Sequence, residues 1–189
     1  MSEIAVAAES TATQEAERWL GAFETALADR NAAAAAALFA TDSYWRDLVA
    51  FTWNLKTVEG REGVADLVEH SAGQTGARGF HVTEPATEAD GVTEAWIRFE
   101  TEVGRGLGHL RLKEGKAWTL LTTLYELKGH EERKRERRPM GAEHGATKER
   151  RTWLEKRRQE AAELGHKTQP YVVIVGGGQG GIALGARLR

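Results

Sequence analysis

Gly176, Gly178 and Gly181 stand at the spacing Gly-x-Gly-x-x-Gly, directly after the β-branched run Val172, Val173, Ile174 and Val175. That order reads as strand, tight turn and helix, the arrangement that holds the phosphates of a dinucleotide. Gly176 lets the chain turn sharply. Gly178 lets the backbone approach a pyrophosphate where a Cβ would collide, and Gly181 lets the helix pack closely on the strand. The helix N-terminus then offers unpaired N–H groups and the positive end of its dipole. Gly185 lies one turn further on the same face as Gly181. Gly176, Gly177, Gly178, Gln179, Gly180 and Gly181 are therefore the candidate cofactor-binding residues. The acidic residue that would hold a ribose, about 20 residues further on, falls beyond Arg189, so this motif alone does not separate FAD from NAD(P).

Other residues with chemistry are scattered. Asp47, His81, His109 and Tyr125 are candidates to line a pocket, where an Asp–His pair would act as a general base on a small acidic C–H. The plainer reading gives Asp47 and Arg46 surface contacts and leaves the histidines solvated, and no catalytic residue is assigned. His70, His81, His109, His130, His144 and His166 lack the His-Glu-x-x-His pattern of a metal site, so no metal is expected. Ser43 and Ser71 lack a Gly-x-Ser-x-Gly setting. Trp19, Trp45, Trp53, Trp96 and Trp118 read as core.

Composition narrows the classes. The 189 residues suffice for one domain and part of a second. Cysteine is absent, which excludes disulfides, a thiolate nucleophile and Cys-ligated metal and fits a cytoplasmic protein. Residues 1–13 lack the basic start and apolar core of a secretory signal. No run reaches the roughly 18 apolar residues of a membrane helix. Residues 1–128 hold 12 Lys+Arg and 20 Asp+Glu, whereas residues 129–168 hold 12 and 8. This shift marks a boundary. The fully charged run 131–138 reads as a solvated connector rather than a nucleic-acid patch, because three glutamates interrupt it. The expected partner is a small-molecule substrate, with no nucleic acid and no membrane.

The elements that must position these residues follow from periodicity. Residues 1–12 read as frayed. Thr13 caps a helix to Ala28 with Trp19, Leu20, Phe23 and Leu27 as its apolar stripe. Asn31 caps a second helix, 32–39. Thr41, Asp42 and Ser43 read as a turn, 44–53 as extended, and 59–63 as a turn before a short helix, 64–70. Strands follow at 77–83, 92–103, 107–113 and 116–127, with Gly104 and Gly106 marking a bend. In the second of these, Thr93, Ala95, Ile97, Phe99 and Val103 share one face, and Trp96 falls on the charged face. The order is α+β with an antiparallel sheet in hairpin succession. Pro139, Met140 and Gly141 break the connector, and Thr147 caps a helix ending at Gly165. The divisions are 1–128, a linker 129–168, and 169–189.

This layout resembles bacterial flavin-containing monooxygenases that carry an N-terminal NTF2-like (SnoaL-like) domain. The residues that carry the resemblance are Tyr44, Trp45, Arg46, Asp47, Leu48, Val49, Ala50, Phe51, Thr52 and Trp53 in a helix–helix–strand frame, and the glycine motif continued by Ile182, Ala183, Leu184 and Gly185. It covers nearly the whole chain. It implies an NTF2-like cone, with helices on a curved antiparallel sheet, then a helical linker and the first β-α of a Rossmann-type FAD-binding domain. It also implies FAD at the glycine motif, NADPH at a second motif outside this chain, and O₂ activated at the flavin to oxidise a small organic substrate. On that reading this chain is the front part of the enzyme, inactive alone. The alternative takes residues 1–128 as the working unit: a stand-alone NTF2-like binding or dimerisation module, forming a homodimer, or a small isomerase-type enzyme.

Overall fold

The structure, a computed structural model, describes residues 2–138, 151–169 and 172–188, and side-chain surroundings from residue 11 onward. The expected break at Pro139, Met140 and Gly141, the cap at Thr147, and Tyr171 lie outside the described residues. The chain forms two units, Met1–Arg137 and Arg138–Arg189.

The first unit opens with α1 (Ser2–Ala28) and α2 (Ala32–Ala37). Contrary to the expectation of a frayed start, α1 is helical from Ser2. The alanines and glutamates of 2–12 are strong helix formers, and propagation from an existing helix is easy. Thr13 is therefore not a cap. Its hydroxyl accepts the Ala86 N–H at 3.0 Å instead. Trp19, Leu20, Phe23 and Leu27 are buried, as their spacing predicts. Asn31 caps α2, its Oδ1 accepting the Ala34 N–H at 2.9 Å.

Next come β1 (Phe39–Leu48), β2 (Leu55–Glu59), α3 (Gly60–Thr75), β3 (Arg78–Val82), β4 (Thr87–Ala89), β5 (Val92–Glu100), β6 (Gly104–Lys113) and β7 (Lys116–Leu127). Thr41, Asp42 and Ser43 lie inside β1 rather than in a turn. Phe39 sits opposite Ala117 and Tyr44 opposite Thr119, so the extra residues bulge out of the ladder. The bulge leaves the buried Ser43 Oγ without a hydrogen-bond partner. A buried hydroxyl with no partner costs on the order of 1 kcal/mol or more. Ser43→Ala should therefore leave stability unchanged or raise it by about 1 kcal/mol in urea unfolding; a loss of that size would mean the hydroxyl is satisfied in solution. The helix α3 extends beyond the expected 64–70 at both ends. Its Ser71 and Thr75 hydroxyls donate to the Leu67 and Ser71 carbonyls at 2.6 and 2.7 Å, which satisfies both buried hydroxyls within the helix.

The strands form one sheet in the order β2-β1-β7-β6-β5-β3, with β4 also on β5. The sheet is mixed, not antiparallel, because β1 runs parallel to β7. Ala117 donates to the Leu38 carbonyl at 2.9 Å, so both strands start at the same end. Their hydrophobic alternation is the same whichever way the pair runs, and only the long connection between them sets the direction. β2 and β4, short and largely exposed, lack the apolar alternation that marks the other strands.

The helices cover one sheet face. Phe23 of α1 meets Phe39, Trp45 and Phe80 at ring-centroid distances of 5.9, 5.5 and 5.7 Å. Phe80 stacks on Phe99 at 4.9 Å. Val64, Leu67 and Val68 of α3 join this core. Thr93, Ala95, Ile97 and Phe99 point into it, but Val103 does not. The phase breaks there because Thr101 and Gly104 close a tight turn, with the Thr101 N–H donating to the Gly104 carbonyl at 2.9 Å.

At the β3 end of the sheet α1 acts as an edge guard. Glu24 accepts the Phe80 N–H at 2.9 Å and Glu17 accepts the Val82 N–H at 2.8 Å. These glutamates lie two helical turns apart on one face of α1. They occupy donors that an edge strand otherwise offers to another chain. Glu24→Ala should speed hydrogen exchange at the Phe80 amide by tenfold or more (~1.4 kcal/mol of lost protection), while leaving core amides of β6 unchanged.

In the second unit α4 (Trp153–Glu163) starts at a capping box. Thr152 Oγ1 accepts the Glu155 N–H, and Glu155 accepts the Thr152 N–H at 2.7 Å. Residues 172–177 form no strand, and no Rossmann module is evident among the described residues. An apolar strand needs partner strands to close its backbone hydrogen bonds, and Val173 and Val175 stand 75% and 97% exposed. The helix α5 (Gln179–Leu188) follows.

Candidate functional site

The pleat sorts the candidate residues onto opposite faces. Asp47 of β1 sits beside Thr122 of β7, which sits beside Gly108 of β6 and Ile97 of β5. This row faces the helices. The next row, Arg46, Leu121, His109 and Trp96, faces away. Asp47 and His109 therefore cannot work as a pair.

Asp47 is fully buried. Its Oδ2 accepts the Phe51 N–H at 3.0 Å, the Thr52 N–H at 2.9 Å and the Thr52 hydroxyl at 2.8 Å. Its Oδ1 accepts the Thr122 hydroxyl at 2.7 Å, and that oxygen in turn accepts the Trp45 indole N–H at 2.9 Å. Every donor converges on the carboxylate, so it acts as a structural anchor for the turn 49–54 rather than as a surface contact. His81 is exposed and its Nδ1 lies 2.9 Å from the Gly79 carbonyl oxygen. Tyr125 is 45% exposed. The four candidates do not converge on a pocket.

The site that sequence reading missed is the uncovered sheet face. Tyr44 and Trp96 are exposed there, and Leu48, Leu107, Leu121 and Thr119 are half-buried. The indole of Trp96 leans on His109 with ring centroids 4.5 Å apart. Trp96 and Trp53 are thus not core residues, unlike Trp19 and Trp45. Glu94 lies beside this pair. Arg111 Nε stands 2.7 Å from a Glu94 oxygen, an ion pair whose N–H does not point at the oxygen. The same guanidinium lies 4.8 Å over the Trp118 ring. Burial holds His109 below the ordinary 6.5, Glu94 opposes that shift, and Arg111 adds to it. The signal was present in the sequence as Trp96 on the charged face of β5.

Elsewhere, a cleft of about 410 Å³ lies between α1 and the ends of the β4–β5 and β6–β7 hairpins. The charged residues of its lining are Glu15, Arg18, Glu88 and Glu114. Glu15 already accepts the Thr93 hydroxyl at 2.7 Å. Among the described residues, no three His, Asp or Glu side chains gather as metal ligands, and no helix is long and apolar enough to cross a membrane.

In the second unit Gly176 has φ +116, and a Cβ on Gly181 would overlap the Gly176 carbonyl oxygen. Ile174 packs against α5 where Gly185 leaves room, 3.6 Å from the position of an added Cβ. Around Gly177, Gly178 and Gly180 an added Cβ would meet open space.

No protein-family model and no curated protein matches this sequence. Solved structures do show a likeness. A Nostoc punctiforme domain of unknown function with a cystatin-like fold is 15% identical, over 63% of this chain and 78% of that one, at a TM-score of 0.49. An NTF2-like protein of unknown function from Mesorhizobium loti is 19% identical, over 60% and 93%, at 0.43. A Catenulispora acidiphila protein with a ketosteroid isomerase-like fold, in complex with trimethylamine, is 18% identical, over 57% and 85%, at 0.42. The likeness is one of fold. The α+β arrangement of the first unit rests on its own sheet order.

Proposed function

We propose that the first unit is an NTF2-like association module that works through its uncovered sheet face. One observation carries this reading: Trp96 and Tyr44 are exposed, beside half-buried Leu121 and Leu107 and the polar Arg46, His109 and Arg111, on a sheet whose other face is already packed. Large aromatic side chains left exposed on a sheet face among polar neighbours mark a contact site. The small-isomerase reading has less support, because the buried carboxylate Asp47 is occupied by four hydrogen bonds. Sedimentation velocity on the full chain at tens of micromolar tests the proposal. An assembled species, lost in Leu121→Lys without a change in melting temperature, supports it. A monomer at every concentration, with no protein bound from added partners, rejects it.

A second reading concerns the glycine turn. The sharp turn at Gly176, the Gly181 contact and the open space at Gly178 fit a pyrophosphate laid on the N-terminus of α5. Gly176, Gly177, Gly178, Gln179, Gly180 and Gly181 would hold FAD there, and FAD, fed by NADPH, would supply the flavin chemistry that the resemblance implies. Quenching of FAD fluorescence should be measurable with the wild-type chain and at least tenfold weaker with Gly181→Ala. Equal quenching by both would remove the glycine turn from FAD binding.

A further inference from the structure

We propose that the outer edge of β2 takes up an extended acidic segment of another protein as an added strand. This site is separate from the open face and stands or falls without it. The two edges of the sheet are finished differently. At the β3 edge, Glu24 and Glu17 of α1 occupy the Phe80 and Val82 N–H groups. At the other edge β2 is the last strand, and Leu55, Lys56, Thr57 and Glu59 are all exposed.

The ladder fixes which groups point outward. The Val49 N–H donates to the Asn54 carbonyl, and from there Leu48 lies opposite Leu55, Arg46 opposite Thr57 and Tyr44 opposite Glu59. Antiparallel pairs alternate between those that exchange hydrogen bonds and those that do not. Lys56 and Val58 therefore bond back to β1, while Leu55, Thr57 and Glu59 turn their N–H groups away from it. Asn54 Oδ1 accepts the Leu55 N–H at 2.8 Å, which closes that outward donor. Glu59 keeps an extended backbone, φ −117 and ψ 139, before α3 begins. The Thr57 and Glu59 N–H groups and the Leu55 and Thr57 carbonyls thus form the row with which an added strand pairs.

Charge selects the occupant. Lys56 is exposed on one side of the edge. On the other side Arg46 reaches across to Thr57 and donates to its hydroxyl at 3.4 Å. Among the described residues neither cation is paired with a carboxylate. Successive side chains of a strand point to opposite sides. Two adjacent acidic residues of an added strand therefore meet Arg46 on one side and Lys56 on the other. Lys56 at an edge discourages pairing with another cationic strand. Glu59 repels a carboxylate laid opposite it, which fixes the acidic pair over Lys56 and Thr57. Beyond the pair, Leu55 and Trp53, 67% and 64% exposed, offer contact to an apolar residue. Trp53 is held at φ 53 in the turn that the buried Asp47 fastens, so its backbone loses little freedom on binding.

The test is an NMR titration of the isotope-labelled full chain with the peptide acetyl-Thr-Val-Glu-Glu-Val-Thr-amide. Its palindromic order sets the glutamates over Lys56 and Thr57 in either strand direction. Saturable shifts centred on the Thr57 and Glu59 amides are expected. Binding should weaken at least about tenfold when the peptide amides are N-methylated and when its glutamates are replaced by lysines. Thr57→Pro should weaken it as much, because it removes an N–H that the sheet itself does not use. Lys56→Glu should weaken the acidic peptide and strengthen the lysine one, and it serves as the variant should Thr57→Pro not fold. Unshifted β6 amides show that a variant is folded. An absence of saturable shifts in β2, shifts confined to the open-face residues Trp96 and Leu121, or equal binding of the N-methylated peptide overturns this inference and leaves the association reading standing.

Discussion

Asp47→Ala should destabilise the first unit by about 3–5 kcal/mol in urea unfolding, the largest loss expected from any single polar side chain in this protein. The carboxylate is fully buried and accepts four hydrogen bonds. Alanine removes the acceptor but leaves the donors. The Phe51 N–H is buried with it, and each stranded donor costs about 1–3 kcal/mol. The turn it anchors also buries Phe51, whose ring meets Trp45 at 4.9 Å and Phe99 at 6.0 Å. Val49 and Trp53 sit at φ 59 and φ 53, a region that side chains beyond glycine avoid. Its other hydrogen bonds are the Val49 N–H to the Asn54 carbonyl, at 3.0 Å, and the Thr52 hydroxyl contacts to Asn54. Asp47→Asn should fall between wild type and alanine, since its amide keeps one acceptor but turns an NH₂ toward donors. A loss under about 1 kcal/mol for Asp47→Ala would show that the turn holds without the carboxylate.

Gly108→Ala should cost at least about 3 kcal/mol or prevent folding outright. Its Cβ would stand 2.5 Å from the Leu121 carbonyl oxygen and 2.8 Å from Ile97 Cγ1. The first of these is backbone of the neighbouring strand, so relief requires β6 and β7 to part. Gly106 meets the same limit differently, because its Cβ would enter the Phe99 ring that stacks on Phe80. Gly104 and Gly106 mark no bend between strands; they lie within β6, with Gly108, on the inner face. The missing side chains of Gly106 and Gly108 make the space that Phe99 and Ile97 fill, and that of Gly104 leaves room for Leu124. Gly21→Ala is the control. Nothing lies within 4 Å of its Cβ position on α1, and the change should stabilise by up to about 1 kcal/mol. Equal melting temperatures for Gly108→Ala and wild type would refute the packing argument.

Local states are legible in the spacing of residue types. Helical spacing placed the buried stripe of α1, Asn31 marked the start of α2, and alternation delimited β7, the start of β5 and the end of β6, while β5 stops at Glu100 and β6 begins at Gly104. The turn at Gly176 was also legible, because a left-handed backbone demands a residue type. These features depend on neighbours a few residues apart. The tertiary structure alone decided that β1 runs parallel to β7, that Asp47 and His109 lie on opposite faces, and that three glycines of β6 are spacers. Each depends on a partner far along the chain: Asp47 meets Thr122, and Trp96 meets His109. Periodicity tells which side of a strand is apolar. Which strand lies beside it, and whether anything covers the other side, is set by packing that no local pattern records.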